Sequence, residues 1–359
     1  MSGIPQALDS IPVLGIVFQL LGYVVANIEF MSHTTVAVAI PITLAALCGV
    51  MCERSGVVNI GLEGIMLTAA FVGWISGVVA VGILGPGTQL PIFGITLPLL
   101  IALVAALLAG MLVSLLHAWL AISLRVDQII SGTIINIGAA GITGYIYSLM
   151  ASQSAVGAGS FTAYRVPGDV ADLPIVGWLL NAVLSQGPIG LVTIFVVIVL
   201  QVMLFRSRWG LRTRAVGEHP RAAETVGIDV VRLRYRNVVM SGALAALGGA
   251  WLSMEQTNKF DTNMTAGRGF IGLAAMIVGR WTPLGAFGAA LLFASATALS
   301  TSLQISPPKG DLGSLMGRVP GEFWEALPYI ITIVILAGLV GRSIAPAADG
   351  QPYERESAT

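Results

Sequence analysis

The sequence is poor in charge, cysteine, lysine and histidine. Of its 359 residues only 10% are charged and 56% are hydrophobic, whereas soluble domains carry about a quarter charged residues. A water-soluble fold of this length is therefore excluded. The only lysines are Lys259, after Asn258, and Lys309, between Pro308 and Gly310. A P-loop needs Gly-Lys-Ser/Thr to cradle phosphates, so the chain cannot bind ATP by that motif. His33, His117 and His219 make no His-x-x-x-His or His-Glu-x-x-His spacing, which excludes the usual helical zinc sites and leaves interfacial or capping roles. Cys48 and Cys52, one helical turn apart, exclude a disulfide framework and are too few for a metal site. They read as small buried core groups. The formal net charge of zero argues against nucleic-acid binding. No lysine or arginine precedes Arg54, so the apolar run from Ile11 lacks the basic start of a secretory signal and reads as a retained first helix.

What is present is a mean hydropathy of +0.87 and a series of apolar runs. Runs near spanning length fall at about 11–29, 35–51, 60–83, 97–123, 128–150, 188–205, 236–256, 268–280, 283–304 and 324–342, since a helix needs about 20 residues to cross the hydrocarbon core. The 268–280 run is too short for a full span. The runs are continuously apolar rather than alternating, which favours helices over a barrel. The expected fold is an all-α bundle of about ten transmembrane segments, with a single transmembrane domain over 1–344. Gly138, Gly141 and Gly144 inside one run are candidates for close helix approach.

Eight arginines, Arg206, Arg208, Arg212, Arg214, Arg221, Arg232, Arg234 and Arg236, mark the 206–236 loop as cytoplasmic by the positive-inside rule. Counting outward puts both termini inside and the 84–96, 151–187, 257–267 and 305–323 loops outside, although Arg165, Lys259, Arg268, Lys309 and Arg318 lie on the outer side. The 151–187 loop has the composition of irregular or short helical surface structure, either a partner contact or a solvated connection. Residues 345–359 read as a disordered cytoplasmic tail. A short echo between Ile60–Met66 and Ile271–Ile277 suggests an internal repeat.

Within the basic loop, Pro220 suits a helix start and Gly227 a helix end, predicting a short surface helix whose Ala222 and Ala223 would fit a groove on another protein. Buried polar residues give a second pointer, because Asn or Glu at membrane depth costs several kcal/mol unless it meets a cavity or a partner. Glu63 lies four residues after Asn59, one helix face if both are helical. Asn136 lies about a third of the way into the fifth run. These three either line the translocation path or bond between helices to fix packing. Glu53 and Arg54 read as an interfacial pair or a partner contact.

The Gly217–Ile228 stretch resembles the coupling loop of type II ATP-binding-cassette importer permeases, the branched-chain amino acid, ribose and nucleoside group. Glu53–Gly64, Asp127–Asn136, Gly267–Pro283 and Leu327–Thr332 are similar to further segments of that family, most closely its nucleoside and simple-sugar branch. The resemblance covers about 36–342 and leaves 1–30, 151–187 and the tail unsupported. It implies a permease subunit in a bacterial plasma (inner) membrane that moves nucleosides or a related simple sugar. Gly217, Glu218, Arg221, Ala222, Ala223 and Gly227 would couple it to an ATPase subunit, with Asn59, Glu63 and Asn136 on the path. The implied partners are a cytoplasmic ABC ATPase, a second permease copy or paralogue, an extracytoplasmic substrate-binding lipoprotein and membrane lipid. No cofactor is expected in this chain, ATP and magnesium belonging to the ATPase, and no enzymatic activity of its own. The alternatives are a permease for branched-chain amino acids or ribose, a secondary transporter or channel, and, third, a membrane-embedded enzyme. Sparse ionisable residues within the spans disfavour the last two.

Overall fold

The structure, a computed structural model, describes residues 12–354 apart from 88–89, 91–92, 151–158, 172, 174–175 and much of 309–342. Among the described residues there are helices and no strands. In chain order they are α1 (Pro12–Ala26), α2 (Ile28–Glu53), α3 (Leu62–Leu84), α4 (Leu97–Ala118), α5 (Gln128–Met150), α6 (Gly168–Ala171), α7 (Val176–Leu184), α8 (Pro188–Arg206), α9 (Arg208–Glu218), α10 (Pro220–Thr225), α11 (Val230–Ala250), α12 (Arg268–Val278) and α13 (Pro283–Ile305). Both α4 and α11 run on into a π-helical turn, Trp119–Ser123 and Trp251–Gln256.

Seven described helices are long and apolar enough to cross a membrane: α2, α3, α4, α5, α8, α11 and α13. The expected ten are not reached. At 15 residues α1 falls short of the roughly 20 that a span needs, α12 has 11, and most of the 324–342 run lies outside the described residues.

The chain divides into two compact units. The first comprises 1–38, 166–185 and 291–340. Here Leu303 is buried among Ile16, Leu20, Tyr23, Leu299 and Trp324, and the Tyr23 hydroxyl lies 2.8 Å from Ser302 Oγ. His33 Nε2 lies 3.0 Å from the Ser185 carbonyl, tying α2 to the end of α7. The described part of the expected outer loop thus holds two short helices.

The second unit comprises 39–165, 186–290 and 341–359. Its heart is α3, α4 and α11, which touch along small residues. A Cβ built on Gly110 of α4 would lie 2.8 Å from the Gly242 carbonyl oxygen of α11, and one on Gly242 would lie 2.7 Å from the Gly110 oxygen. In lipid, where burying apolar surface drives little helix association, this close packing supplies the attraction. The glycines that sequence alone pointed to behave otherwise. Gly138 and Gly141 have nothing within 4 Å of a built Cβ, and Gly144 meets only Thr262 at 3.9 Å. That expectation is corrected, because glycine content does not say which helix face is covered.

Helix starts follow local chemistry. Thr96 caps α4, Ser207 caps α9, and Asp127 accepts from the Ile129 and Ile130 N–H groups at 2.9 and 3.0 Å to open α5. Asp229 accepts from the Arg232 N–H at 3.0 Å. That cap starts α11 six residues before the apolar run begins and places Arg232, Arg234 and Arg236 on a helix rather than in a loop.

Of the 345–359 tail expected to be disordered, the described residues 345–354 follow a defined course in which the Ala348 N–H donates to the Gly217 carbonyl at 2.8 Å. Paired backbone and the buried Arg234 beneath it give this segment partners that its composition does not reveal.

Candidate functional site

The basic loop folds as a compact cluster in which α9, α10 and the start of α11 pack on Val216, Ala223 and Val230, with Ala215, Ile228, Leu233 and Tyr353 around them. Pro220 stands at the first turn of α10, and Gly227 takes φ +83° just after it, the left-handed conformation that glycine adopts without penalty. The six expected coupling residues divide. Arg221, Ala222, Gly227 and Glu218 face outward, and Ala222 shares its face with Val226, which is 75% exposed. Ala223 instead is 4% exposed, inside the chain's own small core. Gly217 is also buried; a Cβ there would lie 2.4 Å from the Arg54 carbonyl oxygen.

That contact links the cluster to the segment after α2. Arg54 Nε donates to the Trp281 carbonyl at 2.8 Å and its Nη2 to the Arg280 carbonyl at 3.2 Å, while Trp281 Nε1 donates to Glu53 Oε2 at 2.5 Å. Glu53 and Arg54 therefore grip one turn rather than each other. Both residues of that turn, Arg280 at φ +54° and Trp281 at φ +51°, hold left-handed backbone that costs a non-glycine residue about 1–3 kcal/mol. The two long side chains hold it in place. Burial lowers the Arg54 pKa, Glu218 raises it and Arg214 lowers it.

Asn59 and Asn136 meet the opening of α3, the latter from within α5, and Glu63 meets the opening of α12. Asn59 is fully buried; its Oδ1 accepts from the Gly61 N–H at 3.0 Å and its Nδ2 lies 3.7 Å from Cys52 Sγ. Asn136 accepts from the Gly64 N–H at 2.7 Å and donates to the Ile60 carbonyl at 2.9 Å. The Glu63 carboxylate accepts from the Gly267 and Gly269 N–H groups at 2.7 and 2.6 Å, a charge-assisted cap on the first turn of α12. Because α3 begins only at Leu62, Asn59 and Glu63 do not share a helix face. Asn136 and Glu63 spend their polar atoms on backbone at the openings of α3 and α12, while Asn59 divides its amide between the Gly61 N–H and the Cys52 sulfur.

Other residues gave no sequence signal. His117, fully buried, sits 3.0 Å from Ser131 Oγ and 2.9 Å from the Val58 carbonyl, joining α4, α5 and the segment before α3. Glu255 in the second π-turn accepts from the Ile189 N–H at 2.9 Å and caps α8. Arg234, 2% exposed, donates to the Ser55 carbonyl at 3.0 Å and the Gln351 carbonyl at 3.1 Å. Its place in a run of arginines suggested solvation, and only partners distant in sequence distinguish it.

The family model described as branched-chain amino acid transport system / permease component matches residues 31–342. The chain belongs to this family. Among similar permeases, the guanosine ABC transporter permease protein NupQ of Bacillus subtilis (strain 168) is 38% identical over 332 residues, covering 92% of this chain and 98% of that one. The nucleoside ABC transporter permease protein NupC of Lactococcus lactis subsp. cremoris (strain MG1363) is 35% identical, covering 92% and 98%. A putative glucose ABC transporter permease protein, TsgC13 of Haloferax volcanii, is 31% identical, covering 90% and 97%. No solved structure matches the permease. It is thus a multi-pass membrane subunit of an ABC importer, and the family's part in transport is passage rather than catalysis.

Proposed function

We propose that this permease moves nucleosides across the bacterial plasma membrane, driven by ATP and magnesium bound in a separate cytoplasmic subunit. The observation that carries the reading is similarity along nearly the whole chain to permeases named for guanosine and nucleosides. A second reading, a simple sugar, draws on the relative named for glucose. In this reading both termini face the cytoplasm, an extracytoplasmic lipoprotein delivers substrate, and a second copy or a paralogue completes the pore. A nucleoside asks for hydrogen-bonding groups without strong fixed charge. Asn59, Glu63 and Asn136 act on the path by fixing the mouths of α3 and α12, their side chains being engaged within the protein.

Uptake of labelled guanosine, uridine, ribose, glucose and leucine by the reconstituted importer separates the readings. Nucleoside uptake suppressed by excess nucleoside but not by sugar or leucine is the expected result. Sugar uptake alone would select the second reading. The contact with the ATPase is placed on α10, where Ala222 and Val226 offer a small apolar face. Ala222→Trp, whose side chain points away from the permease core, is expected to leave folding intact and separate ATP hydrolysis from uptake. Normal uptake by that variant would reject α10 as the contact. Ala223→Trp is the wrong test, because position 223 is inside the core.

A further inference from the structure

Residues 345–354 are small, polar and broken by two prolines, a composition with no core of its own to fold around. They are nevertheless held at four points of the cytoplasmic cluster and at Arg125 before α5. The Ala348 N–H donates to the Gly217 carbonyl at 2.8 Å, and the Ala347 N–H to Glu218 Oε2 at 3.2 Å. Arg234 Nη1 donates to the Gln351 carbonyl at 3.1 Å, the Tyr353 hydroxyl bonds to the Glu224 carboxylate, and Glu354 pairs with Arg125 at 2.6 Å. The Tyr353 ring lies 5.9 Å from the Arg234 guanidinium and packs on the Ala223 cluster. A six-residue helix is too short to persist alone in water. The tail therefore supplies part of what keeps α10 folded and oriented.

Between α10 and the tail runs a groove of about 740 Å³, with His219, Arg221 and Ala222 on one wall and Gln351, Pro352 and Glu354 on the other. We propose that residues 345–354 belong to the coupling surface: they hold α10 in place and form the second wall of the groove that receives the cytoplasmic ATPase subunit. This rests on the reading of α10 as the ATPase contact. The chemistry favours a protein occupant. Carboxylates at Glu218 and Glu354 repel an anionic lipid surface, while an imidazole, a guanidinium and carboxylates around a small Ala222 suit a protein segment bearing charges of both signs. The groove is also continuous with the exposed Ala222 and Val226 face.

The test uses the assembled importer in nanodiscs, with three forms of the permease: intact, ending at Ile344, and intact with a photoreactive residue at Gln351. Ending at Ile344 is expected to speed hydrogen exchange at the Ala223 and Gly227 amides at least tenfold and to weaken ATPase binding at least fivefold. Residue 351 is expected to cross-link to the ATPase. Unchanged exchange with unchanged ATPase binding overturns the proposal, as does cross-linking only to lipid or to a second permease. Should the shortened chain fail to assemble, Tyr353→Phe with Glu354→Arg gives the same two readings on a full-length chain. Ala222→Trp separates the failures: if it disrupts coupling while residue 351 captures nothing, the tail proposal alone falls, and if it is silent the α10 reading falls first.

Discussion

The heart of the second unit and its basic cluster around α10 reach specific packing by opposite means. Where α3, α4 and α11 meet, specificity comes from missing side chains: a Cβ on Gly249 would lie 2.0 Å from the Met66 carbonyl oxygen. In the cluster it comes from long polar side chains that cross from one segment to another, as Arg234 does between Ser55 and Gln351. The difference follows from the solvent. In lipid, helices keep their backbone bonds to themselves and gain by close approach, so bulk is the danger. Near water, short segments leave carbonyls and N–H groups that must be satisfied, so loss of a donor is the danger.

The largest effect expected on breaking this contrast is at Gly249. Gly249→Leu should cost about 3 kcal/mol through overpacking, read as a lowered melting temperature and a poor yield in detergent. Gly141→Leu, with nothing within 4 Å, should stay within about 0.5 kcal/mol. Equal losses at both sites would contradict the account of the bundle.

Next is Arg234→Met, which keeps apolar length but removes the donors to two carbonyls. A loss of about 2–3 kcal/mol is expected, with faster hydrogen exchange across 345–354. Unaltered exchange in the tail would mean that the arginine does not hold it.

Smaller again are Glu63→Gln and Asn136→Leu, each expected to cost about 1–2 kcal/mol by loosening a helix opening. Uptake and melting measured on the same preparations decide their role. Uptake that falls only in step with melting assigns them to bracing, and loss of uptake at unchanged melting assigns them to the path.

The smallest effect is a pH dependence of the tail. Burial pushes the Asp349 carboxyl up from 3.8 to about 6, against the hydrogen bonds from Glu53 and the Gly350 N–H and the charge of Arg234, which pull it down. The folded form thus holds a proton that the unfolded form has released, so the tail's seat is firmest below about pH 4 and weakens as pH rises through about 6. Asp349→Asn should flatten that dependence between pH 4 and 6, measured by exchange of the 345–354 amides; an unchanged slope would place the titrating group elsewhere.

Much of this was legible in the residues. Pro220 and Gly227 announced α10, and the segments around Glu53, Asp127 and Gly267 marked the family, because caps, turns and spans depend on neighbours close in sequence. The directions of the residues on α10 were not legible. Ala222 and Ala223 are identical in type, and only the packing of Val216 and Val230 against one of them makes it core.

By itself the sequence determined a helical membrane protein, its permease family and the position of the short helix α10, since hydropathy, helix punctuation and motif spacing are local. Only the tertiary structure decided which glycines lie between helices and that Asn59, Glu63 and Asn136 are engaged at helix openings and the Cys52 sulfur. It alone also turned an unpromising tail into part of the basic cluster around α10. Each of these depends on atoms brought together from positions far apart in the chain, where burial and hydrogen-bond partners exist only after folding.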